Sequence, residues 1–586
     1  MTPRQAPPRV DTYIRLLAAI LITLVLAILL GSDFSSSAQG QVQVNAADPP
    51  TAEQGTVSLN VRVTGKGFKN GAQAKWFVTG TTNPGGVTVN STTFVSSTEL
   101  TANITVDDAA AIANFDIQVL NSDGRGGKGT ELFNVIQKGG NTSCSPQATT
   151  PCVTGSGCLD QSFNVIGQVL TNTSGNVPSV SDMDTASAVM AQSDGKLVVV
   201  GRTSNPSGDP NRFDVLAIRY ESNGTLDTSS FGDLDAFGNR TGITRVSLQN
   251  YETIRNGGGT LYTDSNGVDK ILAVGYTRTT SAGIPVMFVV RLNSDGSLDP
   301  TFGDIDPGTF SRTGKKLIQI GGGNTQAWNV VVRVVDGTTT MFLGGHADGQ
   351  GVVFKMQDNG DLDPSYNGTG YVTLGHGPMG LALQPDGKVI AGGWLGNPKK
   401  PDTNNFVVTR LTTTGQLDTA FGVNGRITTD FFGYADHLQS LTLDSAGRII
   451  ATGQVKTSQN SESVPAVARY TSSGQLEVKN TMSYTSSGMK DVIVQPDGKI
   501  LVIGAIVDCE WGFAITRFNG TDLSLDTSFG DSGTVVSQFA ESGCISANPT
   551  SLTIQIDPAC MCPKIVAAGS ADTTQGYSVA LLRLVP

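Results

Sequence analysis

Histidine, tryptophan and tyrosine side chains occur in a few segments between apolar stretches in the second half of the chain. The sequence contains three histidines, and three imidazoles at suitable distances can form a zinc site. Aromatic side chains on loops can instead form a surface on which a ligand stacks. The residues concerned are Trp328, His346, His376, Trp394, Tyr434, His437 and Trp511. We predict a binding surface without a metal or cofactor; the alternatives are a three-histidine metal site and ordinary loop residues.

Common catalytic motifs are missing from the sequence. It contains no G-x-S-x-G nucleophile elbow, no phosphate-binding loop and no H-E-x-x-H. The acidic segment 358–363 lacks the spacing and terminal glutamate of a calcium loop. A hydrolase would need non-repeated acids such as Asp436 or Glu541. We therefore expect a non-enzymatic binding protein, with a carbohydrate-active or other hydrolytic enzyme as the alternative.

Charge and composition narrow the class of protein. The formal net charge is -11, so a nucleic-acid-binding surface, which needs clustered lysine and arginine, is not expected. Only 15% of residues are charged, and 71 of the 586 are glycine. Few charges with many glycines, threonines and valines are typical of an all-β protein rich in turns.

The N-terminus has the pattern of an export signal. Arginines precede an apolar run at residues 16–30, which is shorter than the roughly 20 residues of a full membrane span. Ser36 and Ala38 suit cleavage before Gln39, so residues 1–38 are predicted to be a signal peptide. The alternative is an uncleaved anchor, which would be the chain's only membrane contact. We expect an extracytoplasmic protein, secreted or held at the cell surface.

Seven cysteines agree with an oxidising compartment, where disulfides are the default. They are Cys144, Cys152, Cys158, Cys509, Cys544, Cys560 and Cys562. We predict Cys509–Cys544, a local Cys144–Cys152 pair, and a bond from Cys158 to Cys560 or Cys562. The odd number leaves one thiol over.

A repeated unit organises residues 159–586. An LD dipeptide recurs seven times, often continuing as in LDTAFG at 417–422, with Leu-Glu in the sixth copy. An apolar strand ending in glycine also recurs, often after a QPDGK turn as at 384–388 and 495–499. Four short strands repeated seven times predict a seven-bladed β-propeller of four-stranded blades. In the fifth unit the predicted strands start at Arg426, Ser440, Arg448 and Ala466.

These repeats resemble the delta-60 repeat family, which occurs as propeller-like arrays in exported bacterial proteins. The resemblance rests on LDxSFG, QPDGK and a strand that ends in arginine, and it covers residues 159–586. It implies a propeller and assigns no catalytic residue.

Residues 45–137 read as a small Ig-like β-sandwich, because short alternating strands are separated by turns. GKGFKNGA at 65–72, VSSTELTA at 95–102 and VLNSDG at 119–124 resemble the IPT/TIG family of Ig-like modules. The resemblance implies a spacer or interaction role. Residues 138–158, which contain Cys144, Cys152 and Cys158, are predicted to be a linker.

A basic residue near the end of one strand precedes the LD acid by eight residues in most units. Because the pair repeats, we interpret it as a structural clamp and not as a catalytic site. Arg583 has no following acid and Asp160 has no preceding base, so we predict that they pair where the ring closes. On this hypothesis closure needs no strand from the N-terminus, and the exposed pair contributes about 0–1 kcal/mol.

Two kinds of connection alternate along the repeats. The PDGK and LDxSFG turns are short and similar, whereas the other connections, such as residues 431–437 and 456–464, differ in length and sequence. The differing connections are expected on one face, where function usually resides. We call this the variable-loop face. We predict that it binds a protein or glycan at the cell surface.

Overall fold

The chain folds entirely into β-structure in the part that a computed structural model describes. That part comprises residues 42–111, 113–136, 156–173, 183–205, 212–248, 253–278, 283–397, 400–459, 461–482, 486–506, 512–537, 539, 547–573 and 576–586. The chain divides into two units, Met1–Thr142 and Ser143–Pro586. Within the described ranges no helix has the length and hydrophobicity needed to cross a bilayer. The predicted signal, the Cys144–Cys152 pair, the Cys509–Cys544 pair, Trp511 and Glu541 lie outside them.

Unit 1 contains two four-stranded sheets around one core. Its strands are β1 Gln43–Asp48, β2 Thr51–Glu53, β3 Leu59–Lys66, β4 Gln73–Val78, β5 Val87–Ser96, β6 Glu99–Val106, β7 Ala113–Leu120 and β8 Gly126–Ile136. The sheet orders are β1-β3-β6-β5 and β2-β8-β7-β4. Alternate residues of β6 are buried, as expected of a strand with one face on a core. Trp76 is 1% exposed and packs edge-on against Phe133.

Unit 2 begins with β9, Gln168–Thr171, and continues as seven four-stranded antiparallel sheets. Sheet 1 contains β10 Thr185–Ala191, β11 Leu197–Ser204, β12 Phe213–Tyr220 and β13 Ile243–Val246. Sheet 2 contains β14 Thr253–Thr263, β15 Asp269–Arg278, β16 Val286–Asn293 and β17 Lys315–Ile318. Sheet 3 contains β18 Thr325–Val335, β19 Thr338–Ala347, β20 Gln350–Gln357 and β21 Tyr371–Leu374. Sheet 4 contains β22 Gly380–Leu383, β23 Val389–Asn397, β24 Lys400–Leu411 and β25 Arg426–Thr429.

The remaining sheets follow the same order along the chain. Sheet 5 contains β26 Asp436–Leu443, β27 Ile449–Lys456, β28 Ser463–Tyr470 and β29 Leu476–Thr481. Sheet 6 contains β30 Ser486–Val494, β31 Ile500–Ile506, β32 Phe513–Phe518 and β33 Thr534–Ser537. Sheet 7 contains β34 Ala547–Asp557, β35 Cys562–Thr573 and β36 Gly576–Leu584, and β9 is its fourth strand.

The sequence prediction placed the boundary between units one strand too early. Strand β25, predicted to open the fifth unit, is the last strand of sheet 4. The LD connection therefore joins the third and fourth strands of one sheet, and the PDGK turn joins the first and second. The last three strands of the chain consequently lack a fourth partner.

Strand β9 supplies that partner. It pairs antiparallel with β36, from Gln168 opposite Leu582 to Thr171 opposite Val579. The prediction that closure needs no strand from the N-terminus was therefore wrong. A strand from the start of the unit completes the last sheet, and it covers a backbone edge that would otherwise be unpaired.

Candidate functional site: a cavity lined by seven sheets

A cavity of about 350 Å³ is lined by one residue from each of the seven sheets. Each of these residues lies in the first strand of its sheet or directly before it. We call the cavity the central cavity and its lining the ring residues. They are Ser187, Gly257, Trp328, Met379, Gln439, Lys490 and Thr550.

A β-bulge places most of the ring residues. In six sheets the pairing between the first and second strands shifts at the ring residue. In sheet 4, Met379 instead stands directly before β22. A bulge adds one unpaired residue and turns its side chain away from the ordinary alternation. In five sheets one side chain of the first strand is thereby free to face the cavity, and in sheet 2 the bulge residue is Gly257.

The repeated strand-ending glycine explains how the bulge fits against its neighbour. A Cβ atom at Gly201 would overlap the carbonyl oxygen of Thr185, two residues before Ser187. The same overlap would occur at Gly453 with His437, two residues before Gln439. Glycine is therefore needed where the second strand passes the bulged carbonyl.

The residue after the bulge joins neighbouring sheets. The Ser440 hydroxyl lies 3.3 Å from Asp491 Oδ1, and Asp491 Oδ2 accepts the Leu552 amide at 2.9 Å. The Val189 amide in turn donates to Ser551 Oγ at 3.3 Å, which links sheet 7 to sheet 1. Burial raises the pKa of Asp491 to about 6, although these hydrogen bonds oppose the increase. The first strands are thus connected side by side around the cavity.

The ring residues differ chemically from sheet to sheet. Lys490 is the one charged member, and partial desolvation by the surrounding protein lowers its pKa. The Trp328 indole lies nearly parallel to the His346 ring, with centroids 5.8 Å apart, and its Nε1 donates to Gln326 at 3.2 Å. Gln439 Oε1 is buried and has no hydrogen-bond partner among the described residues.

The three histidines lie apart, in separate local environments. His376 is buried with its Nε2 2.8 Å from Thr409 Oγ1, and burial lowers its pKa to about 4. His437 lies 4.9 Å from the Trp394 ring and 2.9 Å from Asn404 Nδ2, and burial lowers its pKa. Burial also lowers the pKa of His346. In the described ranges no three His, Cys, Asp or Glu side chains form a metal-binding group.

The remaining predicted binding residues divide between the cavity and its surroundings. Trp328 lines the cavity, whereas Trp394 is near the end of β23 and Tyr434 is half-buried before β26. The other six ring residues were not predicted. A signal was available, since the ring residue precedes the strand-ending glycine by 14 residues in sheets 1, 4, 5 and 6.

Asp436 anchors a connection. It is fully buried, its Oδ2 accepts the Phe431 amide at 2.8 Å, and burial raises its pKa to about 7. Asp184 stands equally three residues before its ring residue and accepts the Thr173 amide at 2.6 Å. Burial also raises the pKa of Asp184. The same carboxylate position thus fixes the chain just before the first strand in two sheets.

The repeated charges form buried ion pairs away from the cavity. Asp160 Oδ2 lies 2.9 Å from Arg583 Nε and 2.9 Å from Lys564 Nζ. The three side chains are at most 2% exposed, so the expectation of an exposed pair was wrong. Arg583 also stacks over Phe163, with its Cζ 4.8 Å from the ring centroid. This arrangement joins the start of the unit to its end.

The other sheets repeat this clamp. Comparable pairs are Arg219–Asp227, Arg291–Asp299, Lys355–Asp363, Arg410–Asp418, Arg469–Glu477 and Arg517–Asp526. In most of them the FG or YN aromatic lies under the cation. Because the group is repeated in every sheet, we interpret it as structural.

The C-terminal cysteines pair differently from the prediction. Cys560 and Cys562 form a disulfide with each other, within the hairpin between β34 and β35. Cys158 is also disulfide-bonded. The two cysteines lie two residues apart, so local proximity decides the pairing.

Five segments of unit 2 match the model of a family described as "Domain of unknown function (DUF5122) beta-propeller". They are residues 192–229, 269–302, 384–421, 447–478 and 495–529. Each segment includes second and third strands and ends in or just after the LD motif. The chain thus carries repeats of a β-propeller family.

Three solved structures are similar to this chain at low identity. A protein of unknown function from Dyadobacter fermentans is 11% identical with a TM-score of 0.37, covering 72% of this chain and 98% of its own. The β-propeller domain of the Trilobed protease from Pyrococcus furiosus is 10% identical, with a TM-score of 0.34 and coverages of 69% and 98%. Sqt1 from Chaetomium thermophilum is 12% identical, with a TM-score of 0.30 and coverages of 68% and 86%. No curated protein matches the chain.

Proposed function

We propose that this protein is an exported or surface-held binding protein, without enzymatic activity, that holds a protein or glycan ligand on the variable-loop face. The observation that carries the proposal is the central cavity, which is lined by a different residue from each of the seven repeated sheets. The framework repeats while the lining varies. Variation confined to positions that face a cavity is expected of a site shaped for a particular ligand.

The finer architecture belongs to the same proposal. Unit 2 would be a closed seven-bladed propeller of the delta-60 type. This is supported by contacts between the first strands of consecutive sheets and between β34 and β10. Unit 1 would be an Ig-like, IPT/TIG-type module that serves as a spacer. Its support is the single core shared by two four-stranded sheets.

The position of the ring residues indicates which face the ligand approaches. They lie within about the first five residues of their strands, so the cavity is close to the connections that lead into those strands. Those connections belong to the variable-loop face. Trp394 and His437 form their ring contact on the same side, at the end of β23 and the start of β26.

Binding is favoured over hydrolysis by the distribution of carboxylates. Lysine is the one ionisable residue type among the ring residues, so the lining supplies no acid pair for hydrolysis. Asp436, the acid that a hydrolase would have needed, already anchors Phe431.

The test uses the purified full chain, a glycan array and an extract of envelope proteins. Trp394→Ala with His437→Ala should reduce retention of the ligand by about tenfold or more, as loss of a central aromatic contact does. Trp328→Ala should do the same from inside the cavity. Phe237→Ala, at a residue 91% exposed on the LD-connection side, is the control and should leave retention unchanged.

Two outcomes would contradict the proposal. Retention that is equal in all variants would exclude this face as the ligand site. Turnover of glycan or ester substrates by the purified chain, abolished by Trp328→Ala, would replace binding with catalysis.

A further inference from the structure

We propose that the central cavity binds an acidic sugar residue, with the sugar carboxylate on the Lys490 ammonium group and an apolar sugar face on Trp328. This inference rests on the proposed function and specifies the chemistry of its ligand. The sugar would be a hexuronic acid unit at the end of a glycan.

The charge of the cavity selects an anion. Lys490 lies on β30, its side chain is open to the cavity, and it forms no ion pair within the described part of the chain. The surrounding protein partly desolvates the ammonium group, and this lowers its pKa. An unpaired ammonium group in a partly desolvated site binds a carboxylate strongly, because charge-assisted hydrogen bonds strengthen as water is excluded.

Trp328 supplies an apolar face in the same cavity. Its ring passes over Gly377, where an added Cβ would come within 2.9 Å of Cζ3. Its indole N–H is already used by Gln326, so the ring offers stacking and little polar contact. The absence of a side chain at Gly257, whose Cβ would collide with the Trp328 backbone, keeps the neighbouring position open.

Neutral polar groups complete the lining. Ser187, Gln439 and Thr550 provide hydroxyl and amide groups from three other sheets. Gln439 Oε1 has no partner among the described residues, and the Thr550 hydroxyl donates to Ala568, which leaves its lone pairs as acceptors. A sugar carries hydroxyl groups around its ring and has one apolar face. It therefore matches this combination of polar groups and an indole. The free carboxyl group of a peptide such as acetyl-Gly-Gly would also satisfy Lys490, but that peptide offers no ring face to stack on Trp328.

The size of the cavity limits the ligand to one sugar unit. Its volume of about 350 Å³ lies at the lower end of the about 300–1,000 Å³ found for ligand pockets. The rest of a glycan would extend over the variable-loop face.

The experiment is calorimetric and NMR titration of the full chain with methyl glucuronide and methyl galacturonide. The matched neutral probes are methyl glucoside and methyl galactoside. We expect one of the uronides to bind at least about tenfold more tightly than its neutral partner, because only the uronide has a charge-assisted bond to gain. Lys490→Met should remove this preference, weakening uronide binding by about 10- to 100-fold until it is no tighter than binding of the neutral partner.

A matched variant distinguishes the effect of a charge inside the cavity from the effect of the protein's overall charge. Lys456→Met removes the same charge at the end of β27 on the variable-loop face, outside the cavity, and should leave uronide binding unchanged. Trp328→Ala should weaken uronide and neutral sugar alike, since stacking does not depend on the carboxylate.

Three results would overturn the inference. Equal binding of uronide and neutral sugar would remove the role of Lys490. An equal loss in Lys456→Met and Lys490→Met would make the effect one of general charge. Tighter binding of acetyl-Gly-Gly with a free carboxyl group would assign the site to a peptide terminus. If no uronide binds while Trp328→Ala still reduces ligand retention, this inference fails and the proposed function stands; if neither is seen, both fail.

Discussion

Replacing Asp160 with asparagine tests the closure of unit 2 most directly. Asp160 lies between Lys564 and Arg583, at 2.9 Å from each, and all three side chains are buried. Asparagine keeps the shape but removes the negative charge, so Lys564 loses its counterion and Arg583 keeps only Asp557, 3.4 Å away. Removing one member of a buried ion pair costs about 3–5 kcal/mol, and we expect Asp160→Asn to lower the free energy of unfolding by about that amount.

The matched control is Asp363→Asn in sheet 3. Asp363 pairs with Lys355 at 2.8 Å, but both side chains are 17% exposed and only one cation is left behind. Because solvent screens this pair, its loss should cost about 1 kcal/mol. Denaturant midpoints of the full chain measure both effects. Hydrogen exchange should show faster opening of β9 and β36 in Asp160→Asn but not in Asp363→Asn.

The pH dependence gives a second readout of the same substitution. Burial raises the pKa of Asp160, but hydrogen bonds from Ser162 and Lys564 and the charge of Arg583 outweigh it, so the pKa lies below its usual value of 3.8. A lowered pKa stabilises the folded chain above pH 3.8, and this stabilisation is lost as the pH falls through the folded-state value. The difference between wild type and Asp160→Asn should therefore shrink in acid. Equal effects of the two asparagine variants, or a difference that does not change with pH, would refute the reasoning.

Two further predictions concern strand β9 and the buried carboxyl of Asp436. Val169→Asp places a charge in the core shared by sheets 7 and 1 and should make residues 156–173 sensitive to protease, whereas Ile166→Asp, at a residue 59% exposed, should not. Burial raises the pKa of Asp436 to about 7, so the folded chain binds more protons than the unfolded chain between pH 3.8 and about 7 and loses stability as the pH rises through that window. Asp436→Asn should therefore raise the melting temperature at about pH 8 and not at about pH 4, and an equal shift at both would contradict this.

The features of unit 2 that could be predicted from the sequence are those that repeat and depend on residues close together in the chain. The eight-residue spacing from Arg410 to Asp418 spans one short connection, so the pair could be read from spacing alone. The same reasoning extended to Arg583 and Asp160, which the structure brings together across the closure. The spacing between nearby residues does not show at which strand each repeated sheet begins. Any four consecutive strands satisfy the repeat, and the strand pairing, such as β24 with β25 and β9 with β36, shows which four form a sheet.

The spacing of residues along the chain also did not predict that the pair of Arg583 and Asp160 is buried. Arg583 lies near the end of β36 and Asp160 precedes β9, and charged residues are usually exposed. They are buried here because Lys564 and the Phe163 ring enclose the same point from other segments of the chain. Those contacts depend on the packing of sheet 7 against the start of the unit. The energetic importance of a pair therefore follows from tertiary structure even where its existence follows from sequence.

The central cavity is formed at positions where the repeated sheets differ in residue type. The bulge needs glycine in the facing strand, because the backbone carbonyl leaves no room for a Cβ, and glycine accordingly recurs at Gly201 and Gly453. The residue at the bulge itself is glycine only in sheet 2, where a Cβ at Gly257 would collide with the Trp328 backbone. Its identity ranges from Gly257 to Trp328 and Lys490, and on the proposed function this variation shapes the cavity for its ligand. At such a position the repeated β-bulge fixes the backbone while the residue type can change. These sheets can therefore acquire specificity there without losing their fold.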